Sequence, residues 1–157
     1  IVGGASASKQ RYLKFLHARV RSLGLEQDIS FTGQRDDLKN ILAISNLVLS
    51  LSTQPESFGR TTLEALRLGV PTAGYDHGGV GEILRVIYPA GLLRIGDRDA
   101  AIRQIANLLM RPLAVPNVDR YLLRNMLSKT LELYEQLARP PEKGEAATWL
   151  GNDQGRI

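Results

Sequence analysis

Leu47-Val48-Leu49-Ser50-Leu51, followed by Ser52-Thr53-Gln54-Pro55-Glu56-Ser57-Phe58-Gly59-Arg60-Thr61-Thr62-Leu63-Glu64-Ala65-Leu66, is the stretch that decides the fold of this chain. A compact apolar run of this length suits a strand buried on both faces. The polar residues 52–57 read as a loop, and 59–68 as a helix that Gly69 stops at its C-terminus. Strand, loop and helix in that order make the crossover unit of a parallel sheet.

Working downstream, Pro71-Thr72-Ala73-Gly74 is a second strand, and Asp76-His77-Gly78-Gly79 leads into a brief helix. Residues 92–95 are expected to form the last strand. Asp97 then caps a helix running to Met110, with Pro112 beyond it. Upstream, Leu13, Leu16, Val20 and Leu23 share one face of a helix over 8–23, ended by Gly24. Residues 29–31 read as a short strand ended by Thr32-Gly33. Asp36 and Asp37 can cap a helix carrying Leu38, Ile41 and Leu42. This alternation predicts an α/β fold, a Rossmann-like doubly wound parallel sheet. Ligands in such sheets bind beyond the carboxyl ends of the strands, so the loops of interest are 3–8, 32–36, 52–59 and 76–79.

Residues 119–138 read as a long terminal helix, which completes one expected domain over 1–138. The segment 139–157, with Pro140-Pro141 and scattered polar residues, reads as a flexible tail. Ile1-Val2-Gly3-Gly4 looks like the end of a strand entering a glycine turn. The sequence is therefore expected to begin inside a domain, N-terminally truncated. Chymotrypsin-like proteases also start with Ile-Val-Gly-Gly after activation, but no Gly-Asp-Ser-Gly-Gly follows, and His17 lies in a helical pattern.

The 157 residues suffice for one packed core, and 43% hydrophobic with 23% charged residues argues against wholesale disorder. No apolar run approaches the roughly 18 residues that would span a bilayer. With no cysteine, disulfides, thiolate zinc sites, iron–sulfur clusters and cysteine nucleophiles are excluded. His17 and His77 alone cannot build a histidine-rich metal site. The net charge of +4 suits an anionic ligand and is too small to indicate nucleic acid as a partner. No targeting peptide is visible, and the absent cysteine fits a reducing, cytoplasmic setting.

The chemistry concentrates where the first strand hands over to its helix. The backbone N–H groups of Phe58, Gly59, Arg60 and Thr61 lack intrahelical partners and form a natural anion site. Gly59 lets a ligand approach the backbone. Glu56 precedes the helix, and Glu64 offers two acceptor oxygens to a pair of hydroxyls such as a ribose presents. In isolation, Glu56 would serve the helix dipole and Glu64 would pair with Arg60 or Arg67. The surrounding pattern favours a ligand.

Glu56 and Glu64, with seven residues between them, resemble the Glu-x7-Glu motif of retaining GT-B glycosyltransferases of family four, the glycosyl transferases group 1. Ser57-Phe58-Gly59, Glu64-Ala65-Leu66 and Gly69-Val70-Pro71-Thr72 resemble that family's flanking run. Phe31-Thr32-Gly33-Gln34-Arg35-Asp36-Asp37 and Asp76-His77-Gly78-Gly79-Val80-Gly81-Glu82 are similar to two further family segments, in the same order.

The resemblance, over about residues 1–138, implies the donor-binding half of a two-domain GT-B enzyme. By it, Glu56 contacts the transferred sugar and stabilises the transition state. Ser57, Phe58 and Gly59 meet the sugar, Arg60 and Thr61 the phosphate, and Glu64 the ribose. Gly33, Gln34 and Arg35 line the nucleobase pocket, and Gly3-Gly4 borders the cleft. The reaction implied is retaining, needs no metal or cofactor, and uses a nucleotide diphosphate sugar donor with a glycan, lipid-linked or small-molecule acceptor. The setting implied is cell-surface polysaccharide or glycolipid synthesis.

Two departures follow from the comparison. The family's pyrophosphate-clamping arginine and lysine lie upstream of the first residue here, and so does the N-terminal acceptor domain. The chain alone is therefore expected to bind donor weakly and to be inactive. Gly81 replaces a common proline, leaving Glu82 a structural role. Rival readings are a non-catalytic nucleotide- or partner-binding module and a GT-B-related UDP-sugar epimerase.

Outside the motif, Arg11, Lys14, His17 and Arg21 share a helix face in a segment, 6–25, without acids. This is either a solvated face or a peripheral contact with the inner face of a membrane. His77 reads as polar surface, with reach to the donor as the alternative. Tyr121, Met126, Leu133 and Tyr134 read as helix packing, and Trp149 as part of the tail.

Overall fold

The computed structural model describes residues 1–121 and 123–138, so the expected tail at 139–157, with Trp149, lies outside the described residues. The chain divides into one unit, Ile1–Asn117, and a second beginning at Val118.

In the first unit, α1 (Gln10–Ser22) follows a single 3-10 turn, Ala7–Lys9. Then come α2 (Leu38–Ala43), β1 (Val48–Ser50), α3 (Arg60–Arg67), β2 (Thr72–Tyr75), α4 (Gly78–Ile87), β3 (Leu92–Leu93) and α5 (Arg98–Met110). The strands are parallel in the order β1-β2-β3, with Leu49 opposite Ala73 and Tyr75 opposite Leu93. Parallel neighbours need crossovers, which α3 and α4 supply. The α/β reading of the sequence is thus what the backbone shows.

The core lies where α3 and α4 meet the sheet. Leu66, Ile83, Leu84 and Leu93 are fully buried, each contributing about 1.5–3 kcal/mol by removal from water. A smaller cluster of Leu42, Ala65 and Val70, flanked by Leu38 and Val48, ties α2 to α3 and β1. Close approach explains the glycine in β2. A Cβ on Gly74 would lie 2.6 Å from Val80 Cγ1 and 3.0 Å from the Ser50 carbonyl. Asp97 caps α5 as expected, its Oδ1 accepting the Ala100 N–H at 3.0 Å.

Four expectations need correction. β1 is not buried on both faces: Leu49 and Leu51 are 46% and 44% exposed, because α3 covers one face and no described element seals the other. Residues 29–31 form no strand. The Ser30 carbonyl instead accepts the Ile1 amino group at 2.6 Å, and Thr32 and Gly33 bond to the chain start, Thr32 N–H to the Ile1 carbonyl and Gly3 N–H to the Gly33 carbonyl, both 3.0 Å. Leu23 leaves the expected α1 stripe because the helix ends at Ser22, and Leu25 and Ile29 are half-buried instead. Asp37 stands at the start of α2 without capping it; its carboxylate is taken by Arg35 at 2.8 and 2.6 Å.

In the second unit Asp119–Tyr121 is a 3-10 turn, and α6 spans Leu123–Ala138 of the expected long helix. The Asn125 amide donates to the Asp119 carbonyl at 2.6 Å. Met126, Leu133 and Tyr134 are exposed rather than packed, since among the described residues of this unit α6 meets only the short 3-10 turn. No helix among the described residues is long and apolar enough to cross a membrane.

Candidate functional site

The junction between β1 and α3 is built on glycines. Gly59 stands at the N-cap of α3 with φ 79° and ψ 44°, a left-handed conformation that residues with a Cβ adopt at a cost of about 1–2 kcal/mol. A Cβ there would also lie 3.0 Å from the Val80 nitrogen. Across the gap, Gly79 in the first turn of α4 faces the backbone of Phe58, and its N–H donates to the Glu56 carbonyl at 2.8 Å. Gly78, with φ 52°, abuts the Glu56 backbone; a Cβ on it would lie 2.6 Å from the Glu56 carbonyl oxygen. The acidic loop is therefore pressed against the start of α4, backbone to backbone.

This arrangement leaves the amides at the start of α3 without partners among the described residues, with Phe58, Arg60 and Thr61 exposed and Gly59 buried. No side chain caps the helix, and among the described residues the Phe58, Gly59, Arg60 and Thr61 N–H groups donate to no protein acceptor. They are orphan donors at the positive end of a helix dipole, available to an anion. The Glu56 carboxylate is exposed and makes no hydrogen bond or ion pair among the described residues. Phe58 is half exposed. Ser57 is exposed in the same loop.

Glu64 is placed differently. It pairs with Arg60 at 3.7 Å, one turn earlier, with side chains 47% and 82% exposed. The helical-pair geometry anticipated for an isolated glutamate is thus present. Such an exposed pair contributes at most about 1 kcal/mol and is readily exchanged for a ligand. Lys39, Arg67 and Leu68 line a shallow cleft with Glu64.

The remaining candidates form a second group. Gly33, with φ 67°, accepts the Gly3 N–H, and a Cβ on Gly4 would lie 3.3 Å from Gln34 Oε1. Gly3, Gly4, Gly33 and Gln34 are therefore brought together. Arg35 points to Asp37 instead, in an exposed bidentate pair that lowers the carboxyl pKa, chiefly through the hydrogen bond, and raises that of the guanidinium. No hydrogen bond or ion pair among the described residues joins this group to the 56–64 group; α2, packed on α3, is the element between them.

One participant was misread in the sequence. His77 is half-buried, not surface, and its Nε2 meets the Ser52 carbonyl at 3.0 Å. The adjacent Gly78-Gly79 pair signals close backbone packing at this helix start, but not the reach of the His77 ring to Ser52. Glycine is costly in a helix unless another backbone comes close. Glu82 is exposed on α4. No cluster of three or more His, Cys, Asp or Glu side chains able to hold a metal occurs among the described residues.

Comparison with known proteins identifies the family. Residues 1–125 match the family model of glycosyl transferases group 1. The chain is 36% identical over 118 residues to an N-acetyl-alpha-D-glucosaminyl L-malate synthase of Bacillus anthracis, covering 74% of this chain and 29% of that protein. It is 40% identical over 83 residues to a mannosylfructose-phosphate synthase of Agrobacterium fabrum, covering 50% of this chain and 18% of that one. Among solved structures, Anabaena Alr3699/HepE in complex with UDP and glucose superposes with a TM-score of 0.61 at 33% identity, over 68% of this chain and 29% of that chain. The same Anabaena protein in complex with UDP-glucose gives a TM-score of 0.60 at 34% identity, over 68% and 30%. The chain thus spans under a third of the length of these relatives, and its α/β fold is the Rossmann-like half of a GT-B architecture. This chain belongs to the glycosyl transferases group 1 family.

Proposed function

We propose that this chain is the donor-binding half of a retaining glycosyltransferase that takes its sugar from a uridine diphosphate sugar. The single observation that carries the reading is the row of unpaired amides at 58–61 in the same loop-to-helix junction as the unpaired Glu56 carboxylate. Support for the uridine nucleotide comes from the Anabaena structures, which hold UDP and UDP-glucose.

Transfer requires a nucleoside diphosphate to depart while positive charge builds on the anomeric carbon. The Arg60 and Thr61 amides hold the phosphate and take up the charge of the leaving group through donors that need no reorganisation. Metal-independent catalysis follows from that role. Ser57, Phe58 and Gly59 seat the sugar, and Glu56 holds its hydroxyls or offsets the developing oxocarbenium charge. Glu64 exchanges Arg60 for the ribose diol. Gly33, Gln34 and Arg35 meet the base through their main chain, with Gly3 and Gly4 at the border. A glycan, lipid-linked or small-molecule acceptor is supplied on an N-terminal half, in cell-surface polysaccharide or glycolipid synthesis in the cytoplasm. The short share of its relatives that the chain covers supports the two-half arrangement.

Isothermal titration of this chain with UDP-, GDP- and ADP-sugars tests the reading. UDP-sugars should bind, weakly, and raise the melting temperature; a ligand at a hundredfold excess over Kd adds about 2.7 kcal/mol. The purified chain should transfer no sugar. Absence of nucleotide binding, or binding unaffected by Glu64→Ala, contradicts the assignment. In the enzyme joined to its acceptor half, Glu56→Ala should abolish turnover; unchanged function would point to a non-catalytic binding module.

A further inference from the structure

We propose that His77 is a positioning residue for the loop that carries Glu56. The inference rests on the donor-site reading above and extends it to His77, which reads from the sequence as polar surface.

His77 lies between β2 and α4, its own N–H donating to the Tyr75 carbonyl at 2.8 Å. Its ring is stacked near Tyr75, with centroids 6.3 Å apart and planes at 29°. From there it reaches across to the loop after β1, Nε2 to the Ser52 carbonyl at 3.0 Å. A carbonyl only accepts, so Nε2 must carry the proton. Nδ1 is buried with no partner among the described residues. The nearest acid in sequence, Asp76, is engaged by Arg85 at 2.7 Å. The Ser52 carbonyl thus takes the Nε2 proton, and the buried Nδ1 faces no acceptor among the described residues.

The loop is thus gripped at two points by consecutive residues: Ser52 by the His77 ring, and Glu56 by the Gly79 N–H with Gly78 packed against it. Both grips fall on main-chain carbonyls and leave the Glu56 carboxylate free. Between them the loop also carries an internal tie, the Ser52 hydroxyl donating to the Gln54 carbonyl at 2.9 Å. Glu64 sits beyond, on α3, outside the clamp. His77 therefore bears on the sugar end of the site and not on the nucleoside end.

Three variants in the enzyme joined to its acceptor half test this: His77→Ala, His77→Gln, whose side-chain amide reaches the Nε2 position, and Glu64→Ala as the nucleoside-end reference. His77→Ala should lower kcat about tenfold, the equivalent of one hydrogen bond of about 1.4 kcal/mol, with UDP affinity within twofold of wild type. His77→Gln should recover most of the rate. UDP affinity falling in step with kcat, or His77→Gln no better than His77→Ala, overturns the proposal in favour of a general folding role. Amide hydrogen exchange over 52–58 decides the clamp without reference to activity. It should speed up in His77→Ala and be restored in His77→Gln; unchanged exchange refutes the clamp even in an active enzyme. Wild type lacking both transfer and UDP binding sinks the donor-site reading instead, and the exchange result still stands for or against His77.

Discussion

Gly79→Ala separates close backbone packing from ordinary helix behaviour, because the two predict opposite signs. In an unobstructed helix, alanine is favoured over glycine by about 0.8–1.0 kcal/mol. At position 79 the added methyl would point straight at the Phe58 backbone, whose carbonyl carbon, carbonyl oxygen and Cα cannot swing aside as a side chain would. Overpacking of this kind costs about 1–3 kcal/mol. Pushing the loop away also breaks the 2.8 Å bond from the Gly79 N–H to the Glu56 carbonyl, a further loss of about 0.5–1.5 kcal/mol. The net expectation is destabilisation by about 2 kcal/mol, a fall in Tm of about 4–8 °C for a chain of this size. Thermal unfolding followed by circular dichroism reads it directly. Gly24→Ala is the comparator: its Cβ meets nothing within 4 Å, and only its φ of 67° is strained. It should cost about 1–2 kcal/mol and leave UDP affinity unchanged, whereas Gly79→Ala should weaken it. A Tm for Gly79→Ala equal to or above wild type would refute the packing argument.

Other substitutions probe single contacts. Glu64→Ala should weaken UDP binding about 10–100-fold, the loss of charge-assisted bonds to the ribose, while the melting temperature stays close to wild type because the Arg60 pair is exposed. Tyr88 donates to the Leu113 carbonyl at 3.1 Å, and burial raises its pKa above the usual value. The folded state therefore favours the neutral phenol, and the stability it contributes is present below about pH 10 and lost as pH rises beyond. Tyr88→Phe should cost about 1 kcal/mol at neutral pH and remove that alkaline loss, as read by denaturant titration. For Asp37 the sign is reversed. Its lowered pKa keeps the Arg35 pair intact above the ordinary carboxylate range and opens it only as pH falls through the depressed value; in Arg35→Ala the Asp37 carboxyl titration, followed by NMR, should move up.

The parts of the fold legible in sequence were those with local punctuation. Gly59 and Gly69 bracket α3, Asp97 starts α5, and Gly24 ends the first helical segment, and each marks an element close to its observed limit. What depended on distant partners was not legible. The run at 47–51 announces an apolar strand but cannot say which element covers each face, and Leu49 and Leu51 are partly exposed. Asp37 is missed for a different reason: its partner is local, but the choice between capping α2 and pairing with Arg35 is decided by side-chain geometry. The same division holds in the site. The amides at 58–61 followed from the strand-to-helix order, whereas the reach of His77 to Ser52 spans 25 positions and has no local signature.

The most direct test of the donor site is an amide NMR titration of the chain with UDP. Binding at the start of α3 should shift the Gly59, Arg60 and Thr61 resonances first, together with Gly33–Arg35, and leave α5 unmoved. Shifts confined elsewhere, for instance to the groove lined by Lys14, His17, Arg21 and Phe31, with the 58–61 amides silent at saturation, would contradict it.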